Sequence, residues 1–152
     1  MSDTYEVLAV KYAHHAPRTA AMNFIGGDPH QSSQPLDFYV WAAGNKESTV
    51  IVDTGFDEAM AKRRERTILK PVPEALKAAG IAPDKVSDVI ITHLHYDHSG
   101  NYDAFPSARY HLQDCEMEFA TGRCMCDEKM RVAFEADDVT ALVRKVFAGR
   151  VA

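Results

Sequence analysis

The chain has 152 residues, of which 46% are hydrophobic and 26% are charged, and its formal net charge is -5 at pH 7. This length suffices for one domain with a sizeable core, and the composition excludes a disordered or fibrous chain. The acidic balance argues against nucleic-acid binding, which requires a basic surface. No apolar run approaches the roughly 18 residues of a membrane span.

The N-terminus and the cysteines indicate the compartment. The first ten residues, MSDTYEVLAV, lack the charged and then apolar pattern of a secretory signal. The three cysteines, Cys115, Cys124 and Cys126, are odd in number and have no CxxC spacing. We favour reduced thiols in a cytoplasmic protein, with a disulfide or a separate metal site as alternatives.

Strands are predicted in the first third of the chain. Thr4–His14 is rich in β-branched and aromatic residues. Leu36–Phe56 contains two apolar runs around Gly44-Asn45, which is typical of a hairpin. Between them, Met22–Pro35 holds two glycines and two prolines and is predicted to be a long loop. Its Asp28-Pro29-His30 stretch is interpreted either as flanking a substrate or as a plain loop.

Helices and strands are predicted to alternate after this hairpin, which indicates an α/β layered fold. The apolar run Val89–Ile91 suits a strand that is covered on both faces. Arg150–Ala152 follows a helix stop and resembles the opening of a further strand. The predicted helices are 57–70, 71–81, 114–122 and 137–149, and the predicted strands are 84–93 and 107–113.

Three histidines and an aspartate follow the apolar strand within six residues, in THLHYDHSG. Imidazole nitrogen and carboxylate oxygen are the usual non-sulfur ligands of zinc and similar ions. His93 and His95 are two residues apart, so at a strand end their rings point to the same side. Asp97 and His98 lie in a glycine-containing loop that can aim them at a second ion. Because burial of these groups without an ion would be costly, the pattern predicts a metal site.

Two motifs together resemble those of one family. Thr92–His98 matches the HxHxDH motif of the metallo-β-lactamase superfamily, and Ile51–Phe56, about forty residues upstream, matches its earlier strand-and-turn motif. The phrases THLHYDHSGN and PLDFYVW are most similar to the N-acyl-homoserine lactonase branch. The resemblance implies that residues 1–152 form a single domain, the N-terminal half of an αββα sandwich with a mixed sheet and flanking helices.

The resemblance also implies roles for the cluster. His93 and His95 would bind a first zinc ion, and Asp97 and His98 a second, although manganese, iron and cobalt accept the same ligands. Metal-bound hydroxide would attack the carbonyl of a small lactone or ester, while Asp97 shuttles a proton to the leaving group. Asp53 would hold a ligand histidine by a hydrogen bond; a plain turn aspartate is the alternative.

The chain departs from the family's site in its second half. The family also uses a third histidine, a bridging aspartate and a last histidine, whereas here only His111 follows His98, inside a predicted strand. We therefore expect weak metal affinity, a domain that is incomplete at its C-terminus, and an exposed apolar sheet face that favours association, for example as a homodimer.

Three hypotheses for the function follow from this departure. The chain is the N-terminal portion of a zinc lactonase-like hydrolase, a half-domain that completes its site with a partner chain, or a non-catalytic remnant. Within the enzyme class, a thioesterase similar to glyoxalase II or an amidase is the alternative to a lactonase.

Overall fold

The fold is built on one mixed sheet of six strands. The computed structural model describes residues 4–28, 30 and 33–152. The strands are β1 (Glu6–His15), β2 (Leu36–Gly44), β3 (Thr49–Val52), β4 (Thr67–Ile68), β5 (Asp88–Ile90) and β6 (Arg109–His111). They lie in the order β4-β1-β2-β3-β5-β6. Pairing is antiparallel from β4 to β3 and parallel from β3 to β6. The mixed α/β sheet that the sequence predicts is confirmed.

The helices cover one face of this sheet. The helices are α1 (Ala20–Asn23), α2 (Glu58–Arg63), α3 (Val72–Ala78), α4 (Asp114–Thr121), α5 (Glu128–Arg131) and α6 (Ala136–Phe147). Alternate strand residues such as Val40, Ile51 and Val89 are fully buried, and they share one core with Leu76 of α3 and Leu142 of α6. Since side chains alternate across a strand, this burial defines the inner face of the sheet.

The opposite face of the sheet is open and apolar. Tyr39 and Trp41 of β2 are 38% and 44% exposed, and Ile90 of β5 is 39% exposed. The register places Trp41 opposite Val52, which is itself paired with Ile90, so these side chains form one continuous patch. The predicted exposed apolar face is therefore present. The prediction that Val89–Ile91 is covered on both faces is wrong, because Ile90 points to the open side.

Several element boundaries differ from the predicted ones. The helix predicted over 57–70 ends at Arg63, because Glu65 adopts a left-handed φ of 55° and the chain then enters β4. Within the strand predicted over 84–93, only Asp88–Ile90 is a strand; a 3₁₀ turn, Pro83–Lys85, overlaps the start of the predicted range. The loop predicted over 22–35 overlaps the end of α1, and Pro29 within it lies outside the described residues.

The end of the sequence extends the sheet by one bridge. Val151 pairs in parallel with Tyr110 of β6. The Ala152 amide donates to the Tyr110 carbonyl at 2.8 Å, and the Tyr110 amide donates to the Arg150 carbonyl at 2.8 Å. The strand opening that Arg150–Ala152 predicts is thus formed.

Two further features concern the cysteines and the helices. All three cysteines are free and exposed, as the interpretation of reduced thiols requires. Across residues 4–28, 30 and 33–152, no helix combines the length and apolarity needed to cross a bilayer.

Candidate metal centre

The predicted ligand residues lie where two parallel strands end. β3 and β5 are neighbours in the sheet, so the residues that follow them meet at the same edge. Asp53 comes directly after β3, and His93–His98 follows β5 after two residues. The carboxyl ends of parallel strands are the usual place for ligands in α/β folds.

The side chains of the HxHxDH stretch converge at this edge. The ring centroid of His93 lies 4.5 Å from that of His95 and 4.0 Å from that of His98. Asp97 Oδ2 lies 3.6 Å from His98 Nε2. All four side chains are partly exposed, so they form the floor of a surface site. The structure brings the four residues together, while their role as metal ligands stays a prediction.

Asp53 fixes the orientation of one of these histidines. Its side chain is nearly buried, and Oδ2 accepts a hydrogen bond from His98 Nδ1 at 2.7 Å. Oδ1 accepts from the Thr92 amide at 2.8 Å, and the Thr92 hydroxyl donates to the same carboxylate. Because a carboxylate only accepts, the Nδ1 of His98 carries a proton, so the lone pair of the neutral ring lies on Nε2, beside Asp97.

The electrostatics favour neutral rings at two positions. Burial lowers the pKa of His93, and the nearby His98 and His95 lower it further. The pKa of His95 is also lowered, chiefly by burial. For His98, burial acts to lower the pKa, but the hydrogen bond that the ring donates to Asp53 and the charge of Asp97 outweigh this effect, and the pKa is raised. Neutral His93 and His95 offer the lone pairs that a cation requires.

Residues after β3 also hold the backbone of the ligand loop. The Thr54 amide donates to the His98 carbonyl at 2.9 Å, and the Thr54 hydroxyl accepts from the Gly100 amide at 3.0 Å. A Cβ atom on Gly100 would lie 2.6 Å from the Gly55 carbonyl oxygen, which is closer than real Cβ contacts. Only glycine permits this close approach, which explains Gly100. Gly55 has a left-handed φ of 64°, and a Cβ atom there would lie 2.7 Å from the Tyr12 ring.

A buried tyrosine supports the same loop from the core. Tyr12 is fully buried, and its hydroxyl donates to the Asp97 carbonyl at 3.1 Å. Burial raises the pKa of Tyr12, and the charge of Asp97 adds to the effect, so the hydroxyl stays protonated and donates. Tyr12 lies in β1, 85 residues before Asp97, and sequence reasoning missed it. An aromatic residue inside an apolar strand gives no signal of this role.

Other predicted residues lie outside the cluster. His111 pairs with Asp88 at 2.8 Å on strand β6, as expected of a histidine that is not a ligand. Asp28 and His30 are joined by a local hydrogen bond in an exposed loop. In the part of the chain that the structure describes, no three His, Cys, Asp or Glu side chains form a group already arranged to hold a metal ion.

The donor set nevertheless fits a metal ion. Partly exposed neutral imidazoles, a carboxylate and an oriented Nε2 atom are the chemistry of zinc-type sites. Two histidines alone provide fewer than the three protein ligands of a catalytic zinc site. The sheet and the donor set together are those expected of a metal-binding α/β domain.

Comparison with known proteins identifies the family. The model of the metallo-beta-lactamase superfamily matches residues 35–142. This chain therefore belongs to the metallo-beta-lactamase superfamily, as its two motifs predict.

Curated relatives are N-acyl homoserine lactonases. AiiB of Agrobacterium fabrum is 44% identical over 50 residues, which are 33% of this chain and 17% of AiiB. AiiA of Bacillus thuringiensis subsp. kurstaki is 31% identical over 104 residues, which are 58% of this chain and 42% of AiiA. The chain thus spans less than half the length of these relatives.

Solved structures share the fold. A quorum-quenching N-acyl homoserine lactone lactonase matches with a TM-score of 0.63 at 19% identity, over 89% of this chain and 52% of that one. AbOPH, a hydrolase of the beta lactamase superfamily, gives 0.66 at 16% identity, over 99% of this chain and 58% of its own. The dizinc lactonase AidC gives 0.58 at 18% identity, over 97% and 56%. The predicted fold class is confirmed, and it corresponds to part of each larger fold.

Proposed function

We propose that this chain carries the ligand-bearing part of a metal-dependent hydrolase that opens lactones of the N-acyl homoserine type. The observation that carries the proposal is the convergence of His93, His95, Asp97 and His98 at one sheet edge, with Asp53 orienting His98. Membership of the superfamily and similarity to lactonases support hydrolysis and this substrate class.

The residues divide into two pairs. We assign His93 and His95 to one ion and Asp97 and His98 to a second, and we propose zinc, with manganese, iron or cobalt as alternatives. When bound, such ions supply a nucleophile from water at neutral pH and draw electron density from the carbonyl oxygen. The chain's own part is to present two neutral rings and to hold the His98 Nε2 lone pair beside Asp97.

Asp97 is assigned to proton transfer. It is the one carboxylate among the four converging side chains, and its side chain is 23% exposed, so a substrate can reach it. As the lactone C–O bond breaks, the leaving alkoxide needs a proton. We propose that the Asp97 carboxylate takes this proton from the attacking water and passes it to the alkoxide oxygen.

Two alternatives remain within the proposal. Another ester-type substrate, a thioester or an amide, fits the same cluster, because the acyl-binding surface is not defined by these residues. A non-catalytic half-domain that completes its site with a partner chain is favoured by a specific observation: no three-ligand group is formed within the described residues.

Metal analysis combined with an activity panel tests the proposal. The chain is loaded with Zn²⁺ or Co²⁺, its metal content is measured, and hydrolysis of a lactone, an ester and a thioester is followed. We expect His95→Ala to abolish metal retention and any lactone hydrolysis, whereas His111→Ala, a histidine paired with Asp88 outside the cluster, leaves both unchanged. Equal metal retention in both variants would contradict the ligand assignment.

The open sheet face is proposed as an association surface. The accessible surface of the chain is 9451 Å², about 1,800 Å² more than expected for a compact monomer of this mass. That excess is larger than the roughly 800 Å² that each partner typically buries in a stable protein interface. We propose that a second copy covers the Tyr39 and Trp41 side, and that the protein acts in the cytoplasm, where its exposed thiols stay reduced.

A further inference from the structure

The segment that carries His93 and His95 lies beyond the last residue of β5, so the sheet does not fix its backbone. Three alternate amides of this segment donate instead to acceptors elsewhere in the chain, each at 2.8 Å. The acceptors are Asp53 for the Thr92 amide, Glu116 for the Leu94 amide and the Ala133 carbonyl for the Tyr96 amide.

The middle hydrogen bond lies between the two histidines. Leu94, the residue between His93 and His95, is fully buried, and its backbone amide is a hydrogen-bond donor. Glu116 Oε1 accepts it, and Glu116 itself lies in the first turn of α4, 22 residues later. A carboxylate acceptor makes this bond stronger than a neutral one, and a buried amide without a partner is costly.

The same helix reaches His95 by a second route. Phe119 of α4 contacts Phe134 at a ring-centroid distance of 5.7 Å, and Phe134 meets the His95 ring edge-on at 4.8 Å. Helix α4 thus contacts both the backbone between the histidines and the ring of one of them. A shift of the Leu94 amide would move both imidazoles together.

We infer that Glu116 is a positioning residue, which sets the spacing of the His93 and His95 rings through its hydrogen bond to the Leu94 amide. The effect of Glu116 on metal binding rests on the proposed function. Its effect on the positions of the two rings is testable without metal. Glu116 does not touch the ions in this assignment, and its effect passes through the backbone.

Three variants separate the hydrogen bond from the charge. Glu116→Ala removes both, Glu116→Gln keeps an acceptor oxygen and removes the charge, and Glu118→Ala removes an exposed carboxylate of the same helix as a matched control. In the metal-free chain, NMR follows amide hydrogen exchange at Leu94 and the ring signals of His93 and His95. We expect Glu116→Ala to speed Leu94 exchange about tenfold and to shift both ring signals. Glu116→Gln keeps a weaker, neutral acceptor and should fall between Glu116→Ala and the wild type, while Glu118→Ala should match the wild type.

Co²⁺ titration measures the consequence for metal binding. We expect Glu116→Ala to weaken Co²⁺ binding about tenfold, because loss of a residue that orients a metal ligand typically weakens metal binding by about 10–100-fold. The d–d absorption of the bound ion should also change. Relative to Glu116→Ala, Glu116→Gln should recover most of the affinity and of the absorption spectrum, which a merely destabilising substitution would not explain.

The outcomes distinguish the two proposals. Unchanged Leu94 exchange and ring signals in Glu116→Ala would overturn the positioning role, and so would a Glu116→Gln variant that behaves like Glu116→Ala. If the wild-type chain binds no Co²⁺ while the metal-free signals respond as expected, the proposed function fails and the positioning role stands.

Discussion

Replacement of Asp53 by asparagine is the sharpest test of how the site is oriented. Asp53 is 4% exposed and accepts hydrogen bonds from Thr92 and from His98 Nδ1. Asparagine keeps one acceptor oxygen for the Thr92 amide, so its NH₂ group would face His98. The Nδ1 atom of His98 must then accept, and the ring proton moves to Nε2. The lone pair that faces Asp97 is lost.

The size of the effect follows from these contacts. Loss of a charge-assisted hydrogen bond at a buried carboxylate costs about 2 kcal/mol of folding free energy. Loss of the correct tautomer of a ligand histidine weakens metal binding by about 10–100-fold. Urea denaturation of the metal-free chain measures the first quantity, and competition with a chelator for Zn²⁺ measures the second.

The matched control is a second histidine–aspartate pair. Asp37 contacts His14 Nδ1 at 2.6 Å on the sheet, away from the ligand cluster. Asp37→Asn therefore removes the same type of contact without touching the site, and Zn²⁺ affinity should not change. An Asp53→Asn protein that binds Zn²⁺ as tightly as Asp37→Asn would refute the tautomer argument.

Further predictions concern pH, packing and association. Burial and neighbouring carboxylates raise the pKa of Asp138 to about 7, so the folded chain holds this proton more tightly than the unfolded chain, and stability falls as the pH rises towards 7. Asp138→Asn should therefore raise the free energy of unfolding by about 1–2 kcal/mol at pH 8 and by less at pH 4.5; an equal gain at both pH values would contradict this sign. Gly100→Ala places a methyl group 2.6 Å from the Gly55 carbonyl oxygen and should cost about 2 kcal/mol in thermal unfolding, and a melting curve like that of the wild type would show that the loop relaxes freely. Trp41→Lys puts a charge on the open sheet face and should shift a dimer to monomer in light scattering, whereas an unchanged dimer would place the interface elsewhere.

The parts of the site that the sequence predicts are local in the chain. His93, His95, Asp97 and His98 lie within six residues. The alternation of side chains at a strand end predicts that the first two point to the same side, and the glycine-containing loop allows the other two to turn towards them. Asp53 required a second motif, and the parallel pairing of β3 with β5 explains why the two motifs meet. The alternation of strands and helices likewise predicts the α/β layering.

The supporting contacts are distant in sequence and were not predictable. Tyr12 and Glu116 are ordinary residues of a strand and a helix, and their partners lie 85 and 22 residues away. The exposure of Ile90 could not be read from its apolar neighbours, because a strand that is covered on one face and one that is covered on both can share the same composition.

The residues that hold the ligand segment determine whether the ring positions depend on association through the open sheet face. The groups that hold the segment include Tyr12, Asp53, Glu116 and the Ala133 carbonyl, all within this chain. None of these groups lies on the open face with Tyr39 and Trp41. The arrangement of the rings should therefore not depend on association, whereas the number of ligands available to each ion should. Metal affinity that rises with protein concentration, while the His93 and His95 ring signals of the metal-free chain stay constant, is the behaviour that this separation requires.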